Sequence, residues 1–395
     1  MMRSPTTQPL RLRRTLESIP TSLIREVAHA GMKREGVIPL WFGEPTVPTP
    51  SFICDVACRA LADGDTFYQA NRGLPALQSA LRDYTNALYD TSVEDDHVTV
   101  TASGMNAVML AMQSLIDPGD EVLTTAPLWP NLPAVPEILS GVVRTVPLDA
   151  TSNGWRLDLD RLIDSCSERT KVVLINSPNN PTGWMMERQQ MQDLLAFARS
   201  NGLWIISDEV YARIVYDRPV APSFLQVAEP DDPLIVVNSF SKTWAMTGWR
   251  LGWIIAPTML GRTLEKLTEF NIAGPPGFVQ RAGIEAVHRG EPFVAQTVSH
   301  YHAARELVMD RLRQMPNVRL SEPAAAFYAF FRVDEMNSSL RFASDLLEET
   351  GVGLAPGAGF GANYDDHLRL CFAAEMPLLE KALDRLGDFL QRRRA

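Results

Sequence analysis

From about Asp96 the chain alternates short β-branched, apolar runs with amphipathic stretches, and this alternation limits the possible folds more than any other feature of the sequence. HVTVTAS, DEVLTTAP, GVVRTVPLD, KVVLINSP, GLWIISDEV, PLIVVNSFS and RLGWIIAP are the candidate strands. Several are apolar at consecutive positions, as strands are when helices cover both faces of their sheet. The pattern predicts an α/β fold whose large domain, residues 50–283, has a mostly parallel central sheet flanked by helices. Farther on, Val294, Val298, Tyr301, Val308 and Leu312 fit one face of a long helix over 293–315. Strands near 327–333 and 367–372 with helices near 340–349 and 377–392 predict a smaller α+β domain over 284–395 that includes this linker helix. Residues 1–49 are expected to form an N-terminal arm, with a first helix near 21–30, and to pack into the smaller domain.

Charge and cysteine usage exclude several classes of function. Against 37 Lys+Arg stand 47 Asp+Glu, the wrong balance for a protein that lives on phosphate backbones, so nucleic acid is not an expected partner. Cys54, Cys58, Cys166 and Cys371 form neither a CxxC pair nor a zinc-site spacing with the six histidines, so no metal is expected. No apolar run approaches the roughly 20 residues that cross a bilayer. The N-terminus lacks the apolar core of a secretory signal, and its stretch MMRSPTTQPLRLRRT reads as an arm rather than a transit peptide. A cytoplasmic protein without membrane partners is the expectation.

The segment SFSKTWAMTGWRLGW carries the most chemistry. Lys242 follows the apolar run LIVV and so stands at the carboxyl end of a strand, where open α/β sheets bind ligands. Desolvation there lowers a lysine's pKa and frees the amine for Schiff-base formation. Arg250, eight residues on, and Ser239, three before, offer charge-assisted and hydroxyl donors to a dianionic phosphate. One short segment thus suits both ends of pyridoxal 5′-phosphate (PLP), although a surface lysine and arginine beside a buried strand would be the ordinary reading of either residue alone.

This segment resembles the PLP-lysine signature of the class I and II aminotransferases, which share the aspartate aminotransferase fold (fold type I), and other family motifs recur in order along nearly the whole chain. The resemblance implies a PLP-dependent aminotransferase that moves an amino group from an L-amino acid to a 2-oxo acid by a ping-pong mechanism, with PLP held as a Schiff base on Lys242. In INSPNNPTGW it places Asn180 on the cofactor's phenolic oxygen and at the substrate, where an Asn-Pro turn alone would be loop punctuation. In LWIISDEVY it pairs Asp208 with the ring nitrogen and gives Tyr211 to the phenolic oxygen. A strand-end carboxylate is costly without such a partner, but Asp208 taken alone also suits a helix cap.

The phosphate is expected at the helix N-terminus formed by Ser103, Gly104 and Met105, where unpaired N–H groups face an anion. Relatives often have glycine where Ser103 stands. Trp129 in APLWPN matches an aromatic stacked on the pyridine, or else packs in the core. Tyr68 matches a tyrosine that reaches the neighbouring subunit's phosphate, which implies a homodimer. Arg369 in DHLRLCFA matches the bidentate grip on the substrate α-carboxylate, unless it faces outward, and Gly43 in WFGEP matches a backbone that approaches the same carboxylate.

Thr46, Val47, Ala325 and the Pro-rich AGPPGF depart from the family pattern around the substrate mouth. No second arginine matches a side-chain carboxylate binder, and Trp41 and Phe42 lie near Gly43, so a neutral or aromatic donor is the expectation. PGAGFGA resembles a dinucleotide loop but has Ala362 at its third glycine position, and reads as a turn near the substrate. A PLP lyase or synthase on the same fold, or a non-catalytic PLP-binding sensor, would carry many of the same residues. The sensor reading wants a DNA-binding head before residue 20, for which there is no room.

Overall fold

The computed structural model describes residues 12–394, so residues 1–11 of the basic arm lie outside the described residues. All seven candidate strands join one sheet: β1 (Val98–Thr101), β2 (Glu121–Ala126), β3 (Val142–Pro147), β4 (Thr170–Asn176), β5 (Trp204–Asp208), β6 (Leu234–Ser239) and β7 (Gly252–Ile255), in the order β1-β7-β6-β5-β4-β2-β3. The five neighbours from β6 to β3 run parallel, and only β7 runs antiparallel to its two partners. The sheet is buried on both faces: Val100, Leu123, Val173, Ile205 and Val236 pack into one core, and Val122, Val172, Leu174, Ile206, Val237 and Ile254 into another. Apolar residues at adjacent positions therefore point to opposite cores, which is why these strands lack a polar alternation.

Topology decides where chemistry can occur. The chain leaves β1, β2, β4, β5 and β6 at the same edge of the sheet, and the antiparallel β7 begins there. Gly252, its first residue, pairs with Ser239 on one side and Thr101 on the other. A Cβ on Gly252 would stand 2.7 Å from the Gly104 nitrogen and 2.8 Å from the Asn238 carbonyl, so only glycine lets the three backbones converge.

A second sheet comprises β8 (Val318–Leu320), β9 (Tyr328–Val333), β10 (Ala355–Pro356) and β11 (His367–Cys371), in the order β8-β9-β11-β10. Helices Ser339–Thr350 and Met376–Arg394 and part of the long helix Glu291–Arg313 pack around it, sharing one core with Phe327, Phe331, Leu368, Leu383 and Phe389. The N-terminal segment joins the same core. Helix Leu23–Gly31 buries Ile24 and Val27, and Ile38–Pro39 pairs in parallel with Val352–Gly353. No helix among the described residues is long and apolar enough to cross a membrane.

Candidate active site

The strand ends of the first sheet, the residues after Ile38–Pro39 and the strands β9 and β11 enclose a cavity of about 500 Å³. Its walls include Gly43, Gly104, Met105, Trp129, Asn180, Asp208, Tyr211, Ser239, Lys242, Arg250 and Arg369. These come from seven separate stretches of the sequence, and most of them meet because the parallel strands end on one side of the sheet, while Gly43 and Arg369 come from outside it. Ser103 does not line the cavity but caps the helix Gly104–Leu115, its hydroxyl accepting from the Asn106 N–H at 3.1 Å. Its φ of 131° belongs to the region that favours glycine, at the residue where relatives were expected to have one. Tyr68 lies away from the cavity, 90% exposed.

Lys242 sits one turn past β6 in the short helix Phe240–Thr243, and its Nζ donates to the Gly43 carbonyl at 2.5 Å. Burial lowers its pKa to about 8, against the opposing pull of Cys371 and Glu44. Asp208 ends β5 and is 4% exposed; burial raises its pKa to about 7, with the Val210 N–H and Lys242 favouring the charged form. The Val210 N–H reaches its Oδ1 at 3.3 Å, so Asp208 caps the turn after β5 as well as facing the cavity. Asp208 forms no ion pair among the described residues, and neither does Arg250, whose Nη1 donates to the Thr247 carbonyl at 2.6 Å and whose pKa is lowered by burial.

Arg369 on β11 faces inward and is 2% exposed. Its Nη1 donates to Asn180 Oδ1 at 3.0 Å and its Nη2 to the Trp41 carbonyl, while Nε has no partner. The guanidinium lies over the Tyr328 ring at 4.5 Å and the Phe360 ring at 4.9 Å. A buried guanidinium held by neutral acceptors and ring faces lacks an anion, which makes it a ready partner for a ligand carboxylate. Asn180 in turn is fixed by its N–H to Asn176 Oδ1 at 2.9 Å, and its Nδ2 stands 3.5 Å from the Tyr211 hydroxyl.

The donor set fits PLP. An uncompensated carboxylate, Asp208, suits a pyridinium N–H; an amine with lowered proton affinity, Lys242, suits an aldehyde carbon. Arg250, which has no carboxylate partner among the described residues, the Ser239 hydroxyl, which is shared with Ser241 and the Leu251 carbonyl, and the N-terminus of Gly104–Leu115 line the cavity together and suit a phosphate. Among the described residues no group of three or more His, Cys, Asp or Glu side chains could hold a metal ion.

Several cavity residues carry no sequence signal of their own. Ser22, Ile24 and Arg25 arrive on the first turn of helix Leu23–Gly31, and Tyr328 arrives on β9. Arg25 supplies a cation that the sequence reading lacked: it lines the cavity, stays exposed, and stacks over Phe42 at 5.6 Å. Trp41 does not line the cavity; it is buried against Gly353 and Gly31, and only Phe42 of the pair reaches it. The 356–362 segment forms the turn Gly357–Phe360, whose Phe360 backs Arg369 without lining the cavity.

Comparison with known proteins agrees with this geometry. The family described as "Aminotransferase class I and II" matches residues 35–386. The aspartate aminotransferase of Pyrococcus horikoshii is 34% identical over 376 residues, covering 94% of this chain and 95% of its own. The crystal structure of aspartate aminotransferase from Thermotoga maritima superposes with a TM-score of 0.88 at 32% identity, covering 96% and 100% of the two chains. Alanine aminotransferase from Pyrococcus furiosus superposes with a TM-score of 0.89 at 26% identity, covering 97% and 100%. With the family matched over most of its length, the same fold and a cavity whose donors fit the cofactor, this chain belongs to the class I and II aminotransferases and is a PLP-dependent aminotransferase.

Proposed function

We propose that the enzyme moves the amino group of an L-amino acid to a 2-oxo acid by two half-reactions in one cavity, and that it does so as a homodimer. The observation that carries this reading is the meeting of the Lys242 amine, the Asp208 carboxylate and the Arg369 guanidinium around a single space of about 500 Å³. PLP, when bound, supplies an electrophilic carbon and an electron sink. Arg369 grips the α-carboxylate through its unpaired face and, with Asn180 steadying it, orients the α-hydrogen. The Lys242 Nζ, with a proton affinity near neutrality, takes that proton and returns it. Asp208 holds the ring-nitrogen proton, and Tyr211 donates to the phenolic oxygen. Arg250, Ser239, Gly104 and Met105 bind the phosphate, with Ser103 fixing the start of their helix and Trp129 covering the ring.

An amino acid and a 2-oxo acid share the α-carboxylate, so the same Arg369 serves both and they must enter in turn. This supports the ping-pong order. The exposed Tyr68, with Phe67 and Phe270 also exposed, supports a second subunit that buries them and receives Tyr68 at its phosphate. A division of labour between residues 50–283, which carry the cofactor donors, and residues 1–49 with 284–395, which carry Gly43 and Arg369, completes the proposal.

The test is a single half-reaction. Enzyme loaded with PLP and mixed with one amino acid, without a 2-oxo acid, is expected to release one equivalent of the matching 2-oxo acid and retain pyridoxamine phosphate. Turnover to ammonia or an elimination product under those conditions would place the enzyme among the lyases instead.

A further inference from the structure

Tyr328 opens β9 and pairs with Cys371 of β11. It is fully buried, and its ring carries the Arg369 guanidinium on its face. Its hydroxyl lies 2.7 Å from the Tyr211 hydroxyl, with the two rings edge to face at 5.7 Å. Nothing else in the protein hydrogen-bonds to it among the described residues. The approach is tight on the other side too: a Cβ on Gly43 would fall 1.8 Å from the Tyr328 oxygen, so this hydroxyl, rather than the α-carboxylate alone, demands glycine in WFGEP.

We propose that Tyr328 is a positioning residue that donates its proton to the Tyr211 oxygen and thereby sets how strongly Tyr211 donates into the cavity. The proposal rests on the reading that Tyr211 serves the phenolic oxygen. The two hydroxyls have two protons and one bond between them. If Tyr328 donates, the Tyr211 proton is free to point into the cavity, and the Tyr211 oxygen accepts from Tyr328 and from Asn180 Nδ2 at 3.5 Å. If Tyr211 donated instead, it would have no proton left for a ligand beside Lys242, whose Nζ stands 5.8 Å from its ring centre. An accepted hydrogen bond makes a phenol a better donor, because the chain of bonds polarises in one direction. Arg369, Asp208, Lys242 and Cys371 are the charged or titratable groups around the pair. Burial raises the pKa of both phenols, which keeps both protonated and the chain intact.

The experiment is a pH titration of the visible absorbance of PLP-loaded enzyme, for wild type, Tyr211→Phe, Tyr328→Phe and the double variant, with a thermal melt of each. Losing the Tyr328 hydroxyl leaves more negative charge on the phenolic oxygen beside the Schiff-base nitrogen, which favours the protonated nitrogen. The midpoint of Tyr328→Phe is therefore expected to move to higher pH by roughly 0.5 unit, the scale of one hydrogen bond. Tyr211→Phe should move it further, and the double variant no further than Tyr211→Phe. Tyr328→Leu, which lacks the hydroxyl in a different shape, should shift in the same direction. A Tyr328→Phe midpoint equal to wild type while Tyr211→Phe shifts, or shifts that add in the double variant, overturns the proposal alone. A Tyr211→Phe midpoint equal to wild type overturns the assigned role of Tyr211 and the proposal with it.

Discussion

The Lys242 amine and the Asp208 carboxylate face one cavity, and burial brings their proton affinities together, to about 8 and about 7. Both groups are thus strained as ions in the ligand-free protein, and each wants what PLP offers. For Asp208 the sign of the effect on stability follows from its raised pKa. The unfolded carboxyl titrates near 3.8, so the native state binds the extra proton between that value and about 7, and stability contributed by the group falls as pH rises through this window. Above about 7 the full cost of a buried charge remains. Asp208→Asn removes it, and the ligand-free variant is expected to melt higher than wild type at pH 8, by roughly 1–4 kcal/mol in stability. The advantage should shrink as pH falls toward 4. The same variant should bind PLP more weakly, since it loses the ion pair. Calorimetry of both proteins at several pH values, with and without PLP, checks both signs, and a variant less stable than wild type at pH 8 would refute the argument.

Ser103 and Gly252 meet beside Gly104 of the cavity wall, and their substitutions should act in opposite directions. Ser103 holds a φ of 131°, a conformation costing a side chain on the order of 1–3 kcal/mol. Ser103→Gly relieves it and gives up only the cap to the Asn106 N–H, which glycine replaces at a loss of a few tenths of a kcal/mol. The variant should be the more stable in urea. Gly252→Ala puts a methyl among backbone atoms at 2.7–2.8 Å that cannot yield, and should cost about 1–3 kcal/mol while moving the Gly104 N–H proposed for the phosphate. Urea melts rank the three proteins, and PLP titration should show weaker binding only for Gly252→Ala.

The strands and long helices were legible because burial on two faces writes itself into consecutive apolar residues, and the long amphipathic helix into its spacing. The expected 293–315 helix is Glu291–Arg313, and the small-sheet strands expected at 327–333 and 367–372 are Tyr328–Val333 and His367–Cys371. Residues with chemistry at strand ends, such as Lys242 and Asp208, were legible because a charged group after an apolar run needs a reason. Arg25 and Tyr328 were not. Arg25 sits on an ordinary amphipathic helix, and Tyr328 lies in the apolar run AAAFYAFF, where an aromatic reads as core. Their approach to the cavity is a property of how the second sheet and the N-terminal helix dock over the first, which no local pattern encodes.

Arg25 should decide how the enzyme treats acidic donors. Its guanidinium stands at the cavity wall over Phe42 and has no carboxylate partner among the described residues, whereas Ile24, Phe42, Met105 and Trp129 form the apolar part of that wall. An acidic side chain entering here gains a charged hydrogen bond that an aromatic one does not. Loss of that bond costs about 1.5 kcal/mol or more, a factor of ten. In Arg25→Ala, kcat/KM for aspartate and glutamate should fall about tenfold relative to kcat/KM for phenylalanine. An unchanged ratio would show that the exposed guanidinium stays on Phe42 and leaves the substrate alone.

Tyr68 offers a test of the second subunit that does not depend on the substrate. The residue is 90% exposed and remote from the cavity of its own chain, on the segment Asp65 to Arg72 that packs against the start of helix Gly277–Arg289 through Gln69. If it completes the partner's phosphate site, Tyr68→Ala and Lys242→Ala damage different subunits' contributions to the same centre. Each homodimer alone should be nearly inactive in the second case and weakened in PLP affinity in the first. Coexpressed, they form mixed dimers in which the Tyr68→Ala subunit keeps its lysine and receives an intact Tyr68 from its partner. That one centre should bind PLP with wild-type affinity, and PLP titration of purified mixed dimers measures it directly. If the mixed dimer binds as weakly as Tyr68→Ala alone, Tyr68 acts within its own chain or on packing only, and the shared centre is wrong.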